Sequence, residues 1–181
     1  MNIPSPTWKY NITVDGTDVM CEEKKKNGGK QVDPSIYSHK FKHSGYRYEV
    51  GVAIFSSKIV HVQGPFDPGV FNDQEIFTDF GLESALREED ERAVVDCGYY
   101  GRFVSRRDEG NDKWKAAKAR YLARHETVNR RIKVFDCLVN RWRHGIELHL
   151  KVFRVVIVLV NIELKYAPIF DAYSRPRTSL S

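Results

Sequence analysis

Residues 46–64 read YRYEVGVAIFSSKIVHVQG, two β-branched and aromatic runs on either side of a tight Ser56-Ser57-Lys58 turn. Side chains of this kind pack well on a pleated surface and poorly on a helix, so 46–56 and 58–64 are expected to pair as an antiparallel hairpin. Upstream, YNITVDG (residues 10–16) partly alternates polar and apolar residues and reads as a strand ending on Asp15-Gly16. Between them, residues 21–35 are polar and punctuated by Lys24-Lys25-Lys26, Asn27-Gly28-Gly29 and Pro34, the composition of a loop.

The rest of the chain changes period. GPFDPG (64–69) is expected to turn. Asn72 followed by Glu75 predicts a capping box for a helix carrying Ile76, Phe77, Phe80, Leu82 and Leu86. A short buried strand follows, Arg92-Ala93-Val94-Val95, which stops at Asp96 in the run ERAVVDCGYYG. From Lys113 to Asn140, Trp114, Ala117, Tyr121, Val128, Ile132, Phe135 and Leu138 recur at three- and four-residue spacings and predict a long helix. A further helix, His144 to Leu164, contains VFRVVIVLV and is expected to be largely buried. Residues 10–170 are read as one domain, with 1–9 and 171–181 as flexible termini.

Composition narrows the class. With 29% charged and 41% apolar residues, the chain has the balance of a soluble globular protein, and a net charge of +5 allows a polyanionic partner. The longest apolar run, Val155–Val160, is too short to span a bilayer. The start, MNIPSPTWKYN, has neither the basic nor the apolar region of a signal peptide. Cys21, Cys97 and Cys137 are odd in number and far apart, which argues against a disulfide framework or structural zinc and for a reducing, intracellular compartment.

Charge is unevenly spread. Residues 73–96 hold nine acids against Arg87 and Arg92, whereas residues 113–154 hold twelve bases against Glu126, Asp136 and Glu147. Glu126 stands alone within RHETVNRRIK. At the carboxyl ends of neighbouring strands, Asp15 and Asp96 would share one rim of a sheet, and a helix packed beside that edge would bring Glu126 to the same point. Three carboxylates in one place raise one another's pKa, and a hard divalent cation such as Mg²⁺ or Mn²⁺ resolves the conflict. Two such ions about 3.5–4 Å apart suit phosphodiester chemistry. Each acid also has a plainer use: Asp15 and Asp96 as turn formers, Glu126 as a partner of Arg130 one helical turn on. Arg120, Arg124, Arg130, Arg131 and Lys133 around Glu126 would follow a phosphate backbone along about two turns of helix.

The succession VDGTD, YRYEVGVAI, GPFDPGVFNDQEIF, VVDCGYYG and RHETVNRRIK resembles the DDE-type endonuclease domain of Harbinger-like transposases, over Tyr10 to Phe170 and in the family's motif order. The resemblance implies an α/β, RNase H-like fold: a mixed sheet of three antiparallel strands followed by parallel strands, flanked by helices. It implies Asp15, Asp96 and Glu126 as catalytic residues and metal ligands, two Mg²⁺ or Mn²⁺ ions as cofactors, and cleavage and joining of DNA in the nucleus. The family's usual His-Asp pair stands here as Asn72-Asp73, which makes Asp73 a secondary candidate. Full-length relatives carry a helical DNA-binding region before the first catalytic strand, so the resemblance also implies a chain truncated at its N-terminus. Such proteins sometimes act with a separate Myb-like DNA-binding protein, and an oligomer is compatible with the reading.

Other motifs carry less. HETVN lacks the second histidine of the zinc-protease HExxH, and there is no GxSxG, P-loop or GxGxxG. SHKFKH spaces His39 and His43 four apart beside lysines, a setting for solvated or phosphate-facing side chains. Two functional classes remain: a metal-dependent nuclease or transposase domain, and a non-catalytic, domesticated or decayed DNA- or protein-binding module on the same scaffold.

Overall fold

A computed structural model of the chain describes residues 9–25, 31–56 and 58–169. The expected flexible termini and the middle of the lysine-glycine loop fall largely or wholly outside the described residues. Six strands and five helices follow in the order β1 (Lys9–Met20), β2 (Tyr37–Ser38), β3 (His43–Ala53), β4 (Ile59–Phe66), α1 (Asp73–Asp79), α2 (Leu82–Glu88), β5 (Glu91–Val95), β6 (Val104–Arg106), α3 (Asp112–Ile132), α4 (Asp136–Val139) and α5 (Ile146–Tyr166). A 3₁₀ turn, Pro34–Ile36, is capped by the Asp33 carboxylate. Among the described residues no helix is long and apolar enough to cross a membrane.

The sheet is mixed, in the order β4-β3-β1-β5-β6, with the two-residue β2 paired to the start of β3. β3 pairs antiparallel with β1 and with β4, so the expected hairpin is present. β5 joins β1 in parallel and β6 joins β5 in parallel. The fold is therefore α/β with a mixed sheet, the coarse architecture that the family resemblance implied.

Period-2 alternation assigns the two faces of β1. Ile12 and Val14 pack with Phe77, Leu82 and Leu86 of α1 and α2, and with Ala93 and Val95 of β5. On the opposite face, Val94 packs against Tyr121 of α3, while Val19, Tyr48, Val50 and Val52 pack with Val128 and Ile132 of α3 and Phe153, Val156 and Val160 of α5. The Tyr48 and Phe153 rings stack with centroids 3.8 Å apart, at the centre of this second layer.

Several boundaries differ from the sequence reading, each for a local reason. β1 does not end at Asp15-Gly16 but runs on to Met20, because the eleven residues of β3 supply it with a partner as far as Gly45. Gly64-Pro65-Phe66 remain in β4, and the turn comes after them. The capping box is present, with Asn72 Oδ1 accepting from the Glu75 amide and Glu75 Oε2 accepting from the Asn72 amide. The helix it starts breaks at Gly81, whose φ of +100° begins α2 separately. The long helix ends at Ile132 and resumes only as the single turn of α4. α5 buries one face only: Val155, Val158, Leu159, Ile162 and Tyr166 are exposed, because one layer of sheet covers one side of a helix.

Phe153 is fully buried between the sheet and α3. Phe153→Ala is expected to cost about 3–5 kcal/mol, read as a lower urea midpoint at unchanged slope.

Candidate active site

β1 and β5 place two acids side by side. Their parallel register pairs Thr13 with Val94, and two residues further along each chain stand Asp15 and Asp96. Asp96 is the first residue past β5, so the strand that stops at a carboxylate stops at the edge of an open cleft. The cleft, ≈ 400 Å³ in volume, is lined by Asp15, Asp96 and Glu126 together with Lys40, Arg107 and His125. Glu126 arrives from the exposed side of α3, in the same turn as the buried His125. The three acids singled out in the sequence thus meet in one cavity.

Asp15 is the half-buried anchor of the three. Its Oδ1 accepts from the Gly16 amide at 2.9 Å, and its Oδ2 lies 3.4 Å from the Asn129 side-chain amide. Burial above all pushes its pKa up to about 6; the Asp73 and Glu126 carboxylates add to the rise, and Lys40 and the Gly16 amide oppose it. Asp96 and Glu126 are exposed. Among the described residues, no group of three His, Cys, Asp or Glu side chains closes into a cage for an ion. The acids form an open set, one fixed carboxylate and two with rotamer freedom. The donors are all carboxylate oxygens around a group that disfavours its own ionisation, which fits a hard divalent cation better than a soft one.

Asp73, the secondary candidate, does not line this cleft. It sits at the first turn of α1 against the backbone of β1, so close that a Cβ on Gly16 would lie 2.1 Å from its Oδ1. A side chain at position 16 would have to displace the Asp73 carboxylate, so the glycine allows a close approach within the strand, where the sequence had read a strand end. Burial raises the Asp73 pKa, with Arg47 opposing; Arg47 Nε lies 3.4 Å away while also donating to Asp18 at 2.7 Å.

The basic row on α3 divides. Arg120 and Arg130 are exposed and free to meet a phosphate backbone. Arg124 is only 4% exposed and donates to the Ile54 carbonyl, so it ties α3 to the end of β3; its assignment to DNA is corrected. Arg131 donates to the Ala167 carbonyl at 2.7 Å and pairs with Glu163 at 3.3 Å, and so fastens α5 to α3. Arg124 and Arg131 do share a face, seven residues apart, but that face is the one packed against the protein. Lys133 is half-buried over the Phe41 ring, 4.8 Å from its centroid, and burial lowers its pKa.

Three further residues line the cleft. Lys40 comes from the tight β2–β3 turn and Arg107 from just past β6. His125, 1% exposed, bonds through Nδ1 to the Thr13 hydroxyl at 2.9 Å, and burial pushes its pKa down to about 4. The Thr13 hydroxyl also lies 3.2 Å from the Val52 carbonyl and spends its one proton there, so it accepts from His125 Nδ1–H. That leaves Nε2 as an unprotonated acceptor. The signal for His125 was its place beside Glu126, masked by the incomplete zinc motif.

Compared with known proteins, the chain matches no family model, and no curated protein or solved structure matches it.

Asp15 is raised in the folded chain, so its ionisation works against folding: the stability it contributes is present below about pH 4 and is lost as pH rises through about 6. In chelator, Asp15→Asn is expected to melt a few degrees above wild type at pH 8 and to lose that advantage at pH 4, by scanning calorimetry across pH.

Proposed function

We propose that this chain is the catalytic domain of a divalent-metal-dependent DNA endonuclease or transposase of the DDE type. The observation that carries the reading is the convergence of Asp15, Asp96 and Glu126, from two neighbouring strands and a helix, on one cleft. The mixed sheet, with β3 antiparallel to β1 and β4 and with β5 and β6 added in parallel, is compatible with the RNase H-like fold that the resemblance implies and supports the same reading.

Asp15, Asp96 and Glu126 would hold Mg²⁺ or Mn²⁺. Such ions would supply Lewis-acid chemistry there, activation of a water or 3′-hydroxyl and stabilisation of the departing oxygen of a phosphodiester. The chain's own groups do the rest. Asp15, set by the strand and by Asn129, fixes the reference point of the site. Lys40 and Arg107 at the cleft draw in and orient the phosphate, and keep the acids from repelling a polyanion. His125, neutral at working pH, braces the strand beneath the cleft through Thr13 without adding charge. Arg120 and Arg130 extend the electrostatic footprint along α3 and give a salt-dependent, largely sequence-independent grip.

The open set of acids favours one second reading, a domesticated or decayed module that binds DNA or a protein without turnover. Nuclear localisation and a separate Myb-like DNA-binding partner belong to the proposal through the family resemblance alone.

Nicking of supercoiled DNA separates the two readings. The wild-type chain is expected to nick in Mn²⁺ or Mg²⁺ and not in chelator, and Asp96→Asn is expected to lose at least about a hundredfold in rate while still binding DNA. A folded wild-type chain that binds DNA but nicks none would favour the non-catalytic module.

A further inference from the structure

A second cavity of ≈ 340 Å³ adjoins the catalytic cleft, and the nuclease reading gives it no role. Met20, Phe41, Leu138 and Val139 form its apolar walls, and Lys133, His43 and Asp18 supply its polar groups, the Asp18 carboxylate being already engaged by Ser38 and Arg47. The two cavities share one short turn between β2 and β3. Lys40 of that turn lines the catalytic cleft, and Phe41, the next residue, lines the second cavity. Lys133 joins them from the other side: its ammonium lies over the Phe41 ring, and its electrostatic neighbours are Lys40, Asp18, Glu126 and Asp15.

The turn is held firmly. The Lys42 amide donates to the Ser38 carbonyl at 2.7 Å, and the Phe41 amide to Ser38 Oγ at 3.3 Å. Ser38 Oγ in turn donates to Asp18 at 2.5 Å, and Asp18, almost fully buried, takes Arg47 at 2.7 Å. Lys42 itself has a φ of +57°, a left-handed conformation that costs a residue with a side chain. A buried ion pair and a strained residue thus fix the positions of one lysine and one phenylalanine at the surface.

Apolar walls with an aromatic ring and two cations beside them match one ligand chemistry: a heteroaromatic ring attached to phosphates. The volume is in the range of small-molecule sites. Bases stacked in a continuous duplex cannot enter a side cavity, whereas a base swung out of the stack, or in a single-stranded end, can. We propose that this cavity receives an unpaired nucleobase adjacent to the scissile phosphate, packed against Phe41 as Lys133 swings from the ring to the flanking phosphates beside Lys40. The preferred substrate is then DNA with an unpaired nucleotide at the cut, such as a strand end, over continuous duplex. The inference rests on the nuclease reading for its account of the neighbouring cleft.

The test uses the full chain and two fluorescent DNAs, a fully paired duplex and the same duplex with a short single-stranded overhang. Anisotropy is measured in chelator, and nicking of both DNAs is followed separately in Mn²⁺. Wild type is expected to bind the overhang DNA roughly tenfold more tightly than the paired duplex. Phe41→Ala should lose that preference and Phe41→Tyr should keep it. Val139→Trp, a substitution at a position 42% exposed and so tolerable to the fold, should lose it by filling the cavity. Equal affinity for the two DNAs in wild type, or a preference that survives both Phe41→Ala and Val139→Trp, overturns the base site. If DNA is nicked with no overhang preference, the base site falls and the nuclease reading stands. If the preference is present and both cavity variants abolish it, but no DNA is nicked, the nuclease reading falls and the base site stands. Failure to bind either DNA overturns both.

Discussion

The parallel pairing of β1 with β5 is the contact on which the cleft depends. Thr13 opposite Val94 sets the register, and from it follows the juxtaposition of Asp15 and Asp96, which lie far apart in sequence. Parallel neighbours cannot be joined by a tight turn; the chain must leave the sheet and return. Here it leaves through β3, β4, α1 and α2, and that excursion both builds the antiparallel half of the sheet and covers one face of β1. A register slip of one residue would turn Asp15 toward α1 and Val14 toward α3, exchanging a core position for the site. The buried Ile12–Val14 set, packed with Phe77 and Leu86, makes that slip costly.

Once the register is set, charge organises what surrounds it. Asp15 resists ionising because it is buried near Asp73 and Glu126, and Lys40 counters part of that cost. Behind it, Asp18, Arg47 and Asp73 form a second charged layer whose Arg47 serves two carboxylates. This layer reaches outward as well as inward: through Ser38, Asp18 fixes the turn that carries Lys40 and Phe41. The same buried arginine therefore positions acids near the cleft and cations at its rim. His125 adds an uncharged ring bonded to Thr13, a residue of the very strand that carries Asp15.

Local signals in the sequence were read well, and signals that depend on packing were not. The Asn72–Glu75 capping box and the hairpin depend on residues a few positions apart, and both are present in the fold. The meeting of Asp15, Asp96 and Glu126 was legible because each stands out against its neighbours, a carboxylate after an apolar run or within a basic one. Asp15-Gly16 was misread as a strand end because a glycine serves equally a turn and a close approach, here by Asp73. Arg124 was misread because a basic helix face looks the same whether it meets solvent or, as here, a backbone carbonyl. VFRVVIVLV carries apolar residues all round the helix, so its composition hid which half lies against the sheet. Lys40 had no local signature, since its role comes from where β2 ends and β3 begins.

The central claim is that three carboxylates at one cleft form a site for a hard divalent cation. Calorimetric titration of Mg²⁺ and Mn²⁺ into the wild-type chain and into Asp96→Asn addresses it without DNA and without turnover. Saturable binding by wild type that disappears in the folded variant is the result the account predicts. A folded wild-type chain that takes up neither ion, or a variant that binds as tightly as wild type, would contradict it.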